Sequence, residues 1–571
     1  MKKSLFPLLS LGLLLGFAGC KDILDETPRS VLTPSFLGTA QGLEAGLAGT
    51  YSGYRYIYGN ESAMFMTVNG TDEFMRGIQD IGSLADYGAN LTPIASATND
   101  NWTNIYRYIN DANGVLKYAP TVTGMDPVRV KQLTAEARIL RAHYYFLLVQ
   151  EYGDVPLFLS FTESPTKDVV RAPVAEVYPA IIKDLTEALP DIPDRPTQPG
   201  RVTRATALHI LAKVYLTRAT STAKQATDYA DAAKFAQELI DNKTRYAVDL
   251  EADVAAVHRK GNENGKEVLM NIQYNADATF TQQDPFNFVG ANVSSFLFRS
   301  RYDNAPDMER DILNGRPYAR FCPTPYTLDS YIVAGEAGKA LRTTDRRFAK
   351  WFKTVWYVNS PGRNGGRANV QRGDTALWYP GRPLTPAEIS RIDARPRGKF
   401  KVYQPNEYTT EFYPVLNKYD DTARVAVNNP STRPFIVYRL AETYLIAAEA
   451  NMYLGKRAEA VAQLNVIRER AAAPGRQSQM RISDADLSLD FILDERTREL
   501  AGEHMRWFDL VRTGKLLDRV RAKVPAVTNR PNGTYGSAAA ANIQPKHVLR
   551  PIPQFEIDRS GGKVTQNQGY N

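Results

Sequence analysis

Residues 126–152 constrain the fold more than any other stretch. They end in TAEARILRAHYYFLLVQEY, keep helical spacing and are apolar on several sides, and a helix that is apolar most of the way round needs other elements to cover it. Gly153 and Pro156 follow as stop signals. Patterns at three- and four-residue spacing lie on either side. Leu37, Leu43, Leu47, Tyr51 and Tyr54 predict a helix over about 35–56. Ile105, Tyr106, Ile109, Ala112, Asn113 and Leu116 predict one that begins near Trp102, with Asp100 or Asn101 as its N-cap. Further helices are expected over 174–189, 203–217 and 227–242.

Helices of this length with short joins predict stacked antiparallel pairs. Near the C-terminus a helix over about 434–454 is followed by Gly455 and a second over 457–472. Ala450, Tyr453, Ala462, Val466 and Pro474 match the small, aromatic, small, bulky and proline positions of a tetratricopeptide repeat. Glu449 and Glu469 stand where Leu and Ala are usual, so the repeat is degenerate. Leu211, Ala212 and Tyr215, followed by Ala232, Ala233 and Ala236, are a partial echo. The same residues suit any antiparallel helix pair, because small side chains serve close contacts in all of them. Between 246 and 432 the periodicity fails; Gly, Pro, Asn, Arg and aromatics dominate, with strand-like runs at EVLMNIQYN and GKFKVY. That predicts an irregular subdomain laid on the helical scaffold, the kind of place where binding residues concentrate. Residues 514–571 read as an extended, loop-rich segment packed over the surface.

The N-terminus carries MKK, an apolar run over 4–17, and small residues before Cys20. The run is too short to span a bilayer comfortably, and the pattern is that of a lipoprotein signal cleaved before Cys20, with an ordinary secretory signal as the alternative. Acyl chains on Cys20, at about 0.8 kcal/mol per buried CH2, would anchor the chain without a membrane-spanning helix. KDILDETPRS reads as a polar tether. Cys322 is the only other cysteine, so no disulfide framework forms and Cys322 is expected as a small buried apolar side chain. Compactness must come from the core, which 43% hydrophobic residues can supply as one large unit or two to three subdomains. The net charge of +8, from 70 basic and 62 acidic residues, reads as thinly spread. Without a basic block that tracks phosphates, nucleic acid is not an expected partner.

The ordered segments LDETPRS, NWTNIYRYINDAN, AEARILRAHYYFLLVQEYGDVPL, GRVTRATALHILAKVYL, YRLAETYLIAAEAN, LNVIRERA, ERTRELAGEHMRWFDLVR, LRPIPQFEI and QNQGY resemble the SusD/RagB family of Bacteroidetes surface lipoproteins over almost the whole mature length. The resemblance implies a mainly α fold, with tetratricopeptide-type helix pairs forming a right-handed superhelical scaffold and a loop-rich irregular subdomain carrying the ligand site. It also implies a lipid-anchored, cell-surface protein of the outer membrane. Such a protein caps a SusC-like TonB-dependent transporter and delivers oligosaccharides, or peptides in the RagB-like branch. A helical lid whose only ligand is the transporter is a further alternative. The corresponding divisions are a signal peptide at 1–20, a tether at 21–34, a helical region at 35–245, a ligand-binding subdomain at 246–432 and a C-terminal region at 433–571.

Chemistry-bearing groups are sparse. Glu495, Glu499 and Glu503 share a helical face, an arrangement that invites comparison with a hydrolytic carboxylate pair. Arg496, Arg498, Arg506 and Arg512 interleave with them, and an ion-pair network is the better account. In the family this segment is a structural signature, with Trp507 and Phe508 as core anchors. The five histidines, His143, His209, His258, His504 and His547, include none three or four residues from another, and no H-E-x-x-H or G-x-S-x-G motif occurs. Asp420 and Asp421 offer oxygen ligands of the kind Ca2+ takes, but a solvated turn explains them better, so no cofactor is expected. The chain is therefore expected to bind and not to catalyse. Stacking a sugar on an aromatic ring is worth about 1–3 kcal/mol, and two regions qualify. One is the NGTDEFMRG loop with Asp72, Glu73 and Arg76, where the family often places ligand contacts, together with Trp102. The other holds Trp351, Trp356, Tyr357, Trp378 and Tyr379. For each tryptophan, core packing is the competing reading.

Overall fold

The computed structural model describes residues 34–79, 84–164, 166–277, 289–336 and 342–570. The leader with Cys20, and the tether up to residue 33, lie outside these residues. The N-terminal half is a series of packed helices: α1 (Ala40–Ser52), α2 (Glu61–Thr67), α3 (Ser96–Tyr118), α4 (Pro127–Tyr152), α5 (Val174–Ala188), α6 (Arg204–Arg218) and α7 (Asp228–Asp241). From about Leu133 onward α4 is enclosed by α1, α3, α5 and α6, and that environment explains why it is apolar on several sides. Asp126 caps it, accepting from Val128 N at 2.9 Å, and Gly153 ends it at φ 74°, a conformation that suits glycine.

α3 begins six residues earlier than the sequence suggests, at Ser96, so Trp102 lies in its second turn and Ala95 is its cap position. Asn101 is unavailable as a cap because its amide donates to Glu151 at 2.5 Å in the core. α6 opens with a capping box between Thr203 and Thr206. It pairs with α7, and α7 packs on the Leu440–Tyr453 helix, which pairs in turn with Arg457–Ala471. These are the stacked pairs that the tetratricopeptide-like spacing suggests.

One helix boundary moves for a clear reason. Phe435–Arg439 is a strand, not the first turn of a helix, and it pairs antiparallel with Val268–Ile272. β-branched and aromatic side chains fit a pleated, buried surface, and the pairing leaves Arg439 at the strand's end deep inside the protein. Residues 246–432 otherwise hold short elements. Phe321–Pro323 pairs with Phe74–Arg76, while Val355–Tyr357, Thr375–Trp378 and Lys401–Val402 form a three-stranded sheet. The C-terminal stretch is more regular than its composition suggests. It contains the Leu516–Lys523 helix, a Thr528–Arg530 and Gly533–Tyr535 hairpin and the Gln554–Arg559 helix. Near the end, Asn567 donates to the carbonyls of Tyr152 and Arg550 at 3.0 and 2.8 Å and pins the segment to α4.

Candidate functional site

The carboxylate face of the Leu489–Leu500 helix and the turn after it is buried and fully engaged. Glu495 meets Arg347, Arg468 and Arg498 at 2.8, 2.6 and 2.7 Å. Glu499 meets Arg347 at 2.9 Å, Arg439 at 2.5 Å and Arg470. Glu503 meets Arg439 and Lys418 at 2.7 and 2.6 Å. Burial alone would raise the pKa of Glu499, but the charges of Arg470, Arg439 and Arg347 outweigh it and bring it down to about 2. A carboxylate held ionised by cations on every side has no proton to give and no lone pair open to a substrate. The ion-pair reading of this segment is the structural one, and Trp507 is fully buried beside Phe508.

Asp72 and Glu73 are inside the protein and do not line a ligand loop. Asp72 is 0% exposed and grips Arg506 through two bonds of 2.7 and 2.6 Å and Arg519 through a third of 2.7 Å. The clasp ties the segment before Phe74 to the C-terminal helices. Glu73 lies 3.6 Å from Arg506 and accepts from Gly502 N at 3.3 Å; burial pushes its carboxyl up to about 7. Arg76 alone of the three reaches solvent, paired with Asp86 at 2.8 Å. Asp420 and Asp421 are also committed. Asp420 pairs with Arg299, and Asp421 accepts from Ser431 Oγ at 2.8 Å and from the backbone of Ala423 and Thr432. Among the described residues no group of three or more His, Cys, Asp or Glu side chains could hold a metal ion.

The aromatics divide sharply. Trp102 is buried against Tyr106 and Tyr152 at ring distances of 4.9 and 5.0 Å. Trp351 is buried, donates to Val254 O at 3.3 Å and carries Lys418 Nζ 4.0 Å over its ring. Trp356 is 0% exposed and stacks on Tyr302 at 4.5 Å. Tyr379 is buried among Tyr403 and Tyr408. Trp351, Trp356 and Tyr379, with Asp72 and Glu73, present no accessible face, which corrects their place among ligand contacts; Trp102 is nearly as buried, touching only the floor of a cleft outside the loop-rich region. Tyr357 is 57% exposed and Trp378 half-buried.

The cause is strand geometry. Side chains alternate across a strand, so in each adjacent pair, Trp356 with Tyr357 and Trp378 with Tyr379, one ring enters the core and the other faces out. Register then gathers the outward set. Val355 lies opposite Trp378, Trp378 beside Val402, and Tyr357 opposite Thr375. Trp378 leans on Phe400 at 6.4 Å. The result is a small open sheet face, with an exposed phenol and part of an indole, carried by the loop-rich region.

One feature of this region is absent from a whole-chain view of charge. Residues 363–401 contain nine basic and three acidic residues, a local excess of basic charge within the loop-rich region. A windowed count along the sequence reveals it. Elsewhere a cleft of about 670 Å3 is floored by Trp102, Tyr106, Phe158 and Phe555 and edged by Glu556 and Arg559. Another of about 550 Å3 lies between α4, α5 and the C-terminal segment.

The chain is a stacked-helix scaffold with an ion-paired core and a small open sheet face in its loop-rich region. Two sequence-family models cover it: the SusD family at residues 266–570, and one described as starch-binding associating with outer membrane at residues 22–216. The chain belongs to the SusD family, and as such it is a non-catalytic protein. It is 27% identical to SusD-like protein P2 of Formosa agariphila, over 98% of each chain. A SusD homolog from Bacteroides thetaiotaomicron shares its fold with a TM-score of 0.69 at 21% identity, covering 94% of this chain and 98% of the other. A laminarin-binding SusD-like protein does so with a TM-score of 0.65 at 22% identity, covering 93% and 100%.

Proposed function

We propose that this chain is a lipid-anchored protein of the outer-membrane surface that captures an oligosaccharide and passes it to a SusC-like TonB-dependent transporter. The observation that carries the reading is the exposed Tyr357 with the half-buried Trp378 on the open sheet face within 246–432. A sugar has an apolar C–H face that matches such rings, and its hydroxyl rim suits the polar groups around them. Family membership supports a binding role, and the laminarin-binding relative is an example of the same fold holding a glycan. The description of the N-terminal family model supports association with the outer membrane. The FAGC leader supports acylation of Cys20 as the anchor. Residues 246–432 are the region to which we assign ligand binding, with the flanking helices as its frame.

Affinity gels and calorimetry against a panel of polysaccharides and peptides test this. Tyr357→Ala and Trp378→Ala should each weaken a polysaccharide that binds by about tenfold, since covering one ring face is worth about 1–3 kcal/mol. Binding to peptides alone, or to nothing but the transporter, would overturn it. Cys20→Ser should release the protein from membranes.

A further inference from the structure

The exposed Tyr357 and the half-buried Trp378 stand beside a basic surface, and the fold brings that surface together from separate loops. Val358 N donates to Asp374 O at 2.8 Å, which holds the turn bearing Arg372 at the end of the Tyr357 strand. Asp374 in turn grips Arg397 at 2.8 and 2.9 Å. Arg367 donates to Thr375 O at 2.9 Å and to Gly398 O at 3.4 Å, joining the same two loops. Arg395 lies 4.8 Å over the ring of Phe400, the residue on which Trp378 leans. Lys401 is in the strand next to that of Trp378. Arg372, Arg395, Arg397 and Lys399 are exposed.

The acidic residues nearby do not cancel this charge. Asp307, Asp374, Asp393 and Glu388 are taken by Arg367, Arg397, Lys399 and Arg382. Arg372, Arg391, Arg395 and Lys401 have no carboxylate partner among the described residues. Unneutralised cations that crowd one surface repel one another and gain by meeting an anion. An aromatic ring next to a guanidinium is a combination that suits a polymer with both sugar faces and fixed negative groups.

We propose that the surface formed by Arg372, Arg395 and Lys401 around Tyr357 and Trp378 binds an acidic polysaccharide, its cations meeting sulfate esters or uronate carboxylates on a chain whose sugars stack on the rings. The proposal rests on the glycan-binding reading above and narrows it to one ligand class. Exposed cations are suited to this task because their contacts strengthen encounter and selectivity while remaining sensitive to salt.

The test uses the detergent-purified full chain in affinity gels and calorimetry with four polymers. These are a sulfated galactan, its chemically desulfated form, a polyuronate and a neutral β-glucan. Binding should be seen with the sulfated galactan or the polyuronate, and which of them binds assigns the anion. The binding should fall with added salt and weaken about tenfold in the triple variant Arg372→Ala, Arg395→Ala, Lys401→Ala. That figure follows from three exposed ionic contacts of about 0.2–1 kcal/mol each. All three residues are at the surface, and an unchanged melting temperature would confirm that the variant is folded. Equal binding to the desulfated and neutral polymers, weakened by Tyr357→Ala, would overturn the acidic assignment and leave glycan capture standing. Silence toward all four polymers would overturn both. Tighter binding to a duplex oligonucleotide than to either acidic polysaccharide would also overturn it.

Discussion

Replacing Asp72 by Asn separates a structural residue from a ligand contact. The substitution keeps the shape and removes the charge between Arg506 and Arg519, both of them buried. Two guanidiniums would then lack their shared anion, and removing one partner of a buried pair costs about 3–5 kcal/mol. Unfolding entropy is about 2.1 cal/mol/K per residue, so roughly 550 residues unfolding together give a Tm loss near 1 °C per kcal/mol, or about 3–5 °C. Glu73 moderates the loss. Its carboxyl is held up to about 7 by burial, with the neighbouring Asp72 charge adding to the effect. With Asp72 neutral, Glu73 ionises more readily 3.6 Å from Arg506 and replaces part of the missing charge. The double variant Asp72→Asn, Glu73→Gln should therefore lose more than the sum of the single variants. Calorimetric melts give the stability, and affinity gels at a temperature where every variant is folded give the binding. An unchanged Tm with lost ligand binding would refute the reasoning and return Asp72 to the ligand site.

The split between neighbouring aromatics predicts opposite outcomes in urea: Trp356→Ala should cost about 3–5 kcal/mol by opening a core cavity, whereas Tyr357→Ala should stay within about 0.5 kcal/mol. Equal losses would show that strand alternation does not govern the pair. Glu499→Gln removes the anion shared by Arg347, Arg439 and Arg470 and should destabilise by about 3–5 kcal/mol without abolishing glycan binding in the fraction that folds. Stability should also fall with acid. Burial holds His143 down to about 3 and His258, His504 and His547 to about 4, and it lowers His209 as well. The unfolded chain takes up these protons near pH 6.5. The histidines' contribution is therefore present above that pH and lost on descent toward 4. Glu73 and Glu151, raised to about 7 by burial, contribute in the opposite sense, with stability present below about pH 4.5 and lost as pH rises through 7. Glu61, Asp100, Asp111, Glu136, Asp329 and Glu556 are raised as well and share this sense, whereas ion-paired carboxylates such as Glu442, Glu495, Glu499 and Glu503 are held low and lose their contribution in acid with the histidines. The histidines and these ion pairs should lower the Tm between pH 6.5 and 4, and a Tm that rises over that interval would contradict it.

Much of the helical scaffold is written locally. Asp126, Thr203, Gly153 and the apolar spacing of α4 through α7 mark elements by interactions within a turn or two, and such signals survive in one sequence. The Phe435–Arg439 segment is the exception. Alone it continues the helix after it, and only pairing with Val268–Ile272, far away in the chain, makes it a strand.

The candidate site that we propose was legible as a region and not as residues. Composition marks 246–432 as the irregular part that carries exposed aromatics, and period-two alternation says that one ring of each adjacent pair faces out. Which ring that is depends on where the rest of the protein packs. The Tyr302 ring draws Trp356 inward, Tyr403 and Tyr408 enclose Tyr379, and Tyr357 and Trp378 remain outside. The carboxylates follow the same rule. A sequence shows Asp72 in a polar loop, yet Arg506 and Arg519, more than four hundred positions away, make it a core anchor. The sequence by itself determined the helices, the lack of a disulfide framework and the family, because these rest on neighbouring residues or on ordered motifs. The tertiary structure decided which polar and aromatic groups meet solvent, because burial is a property of packing between segments remote in the chain.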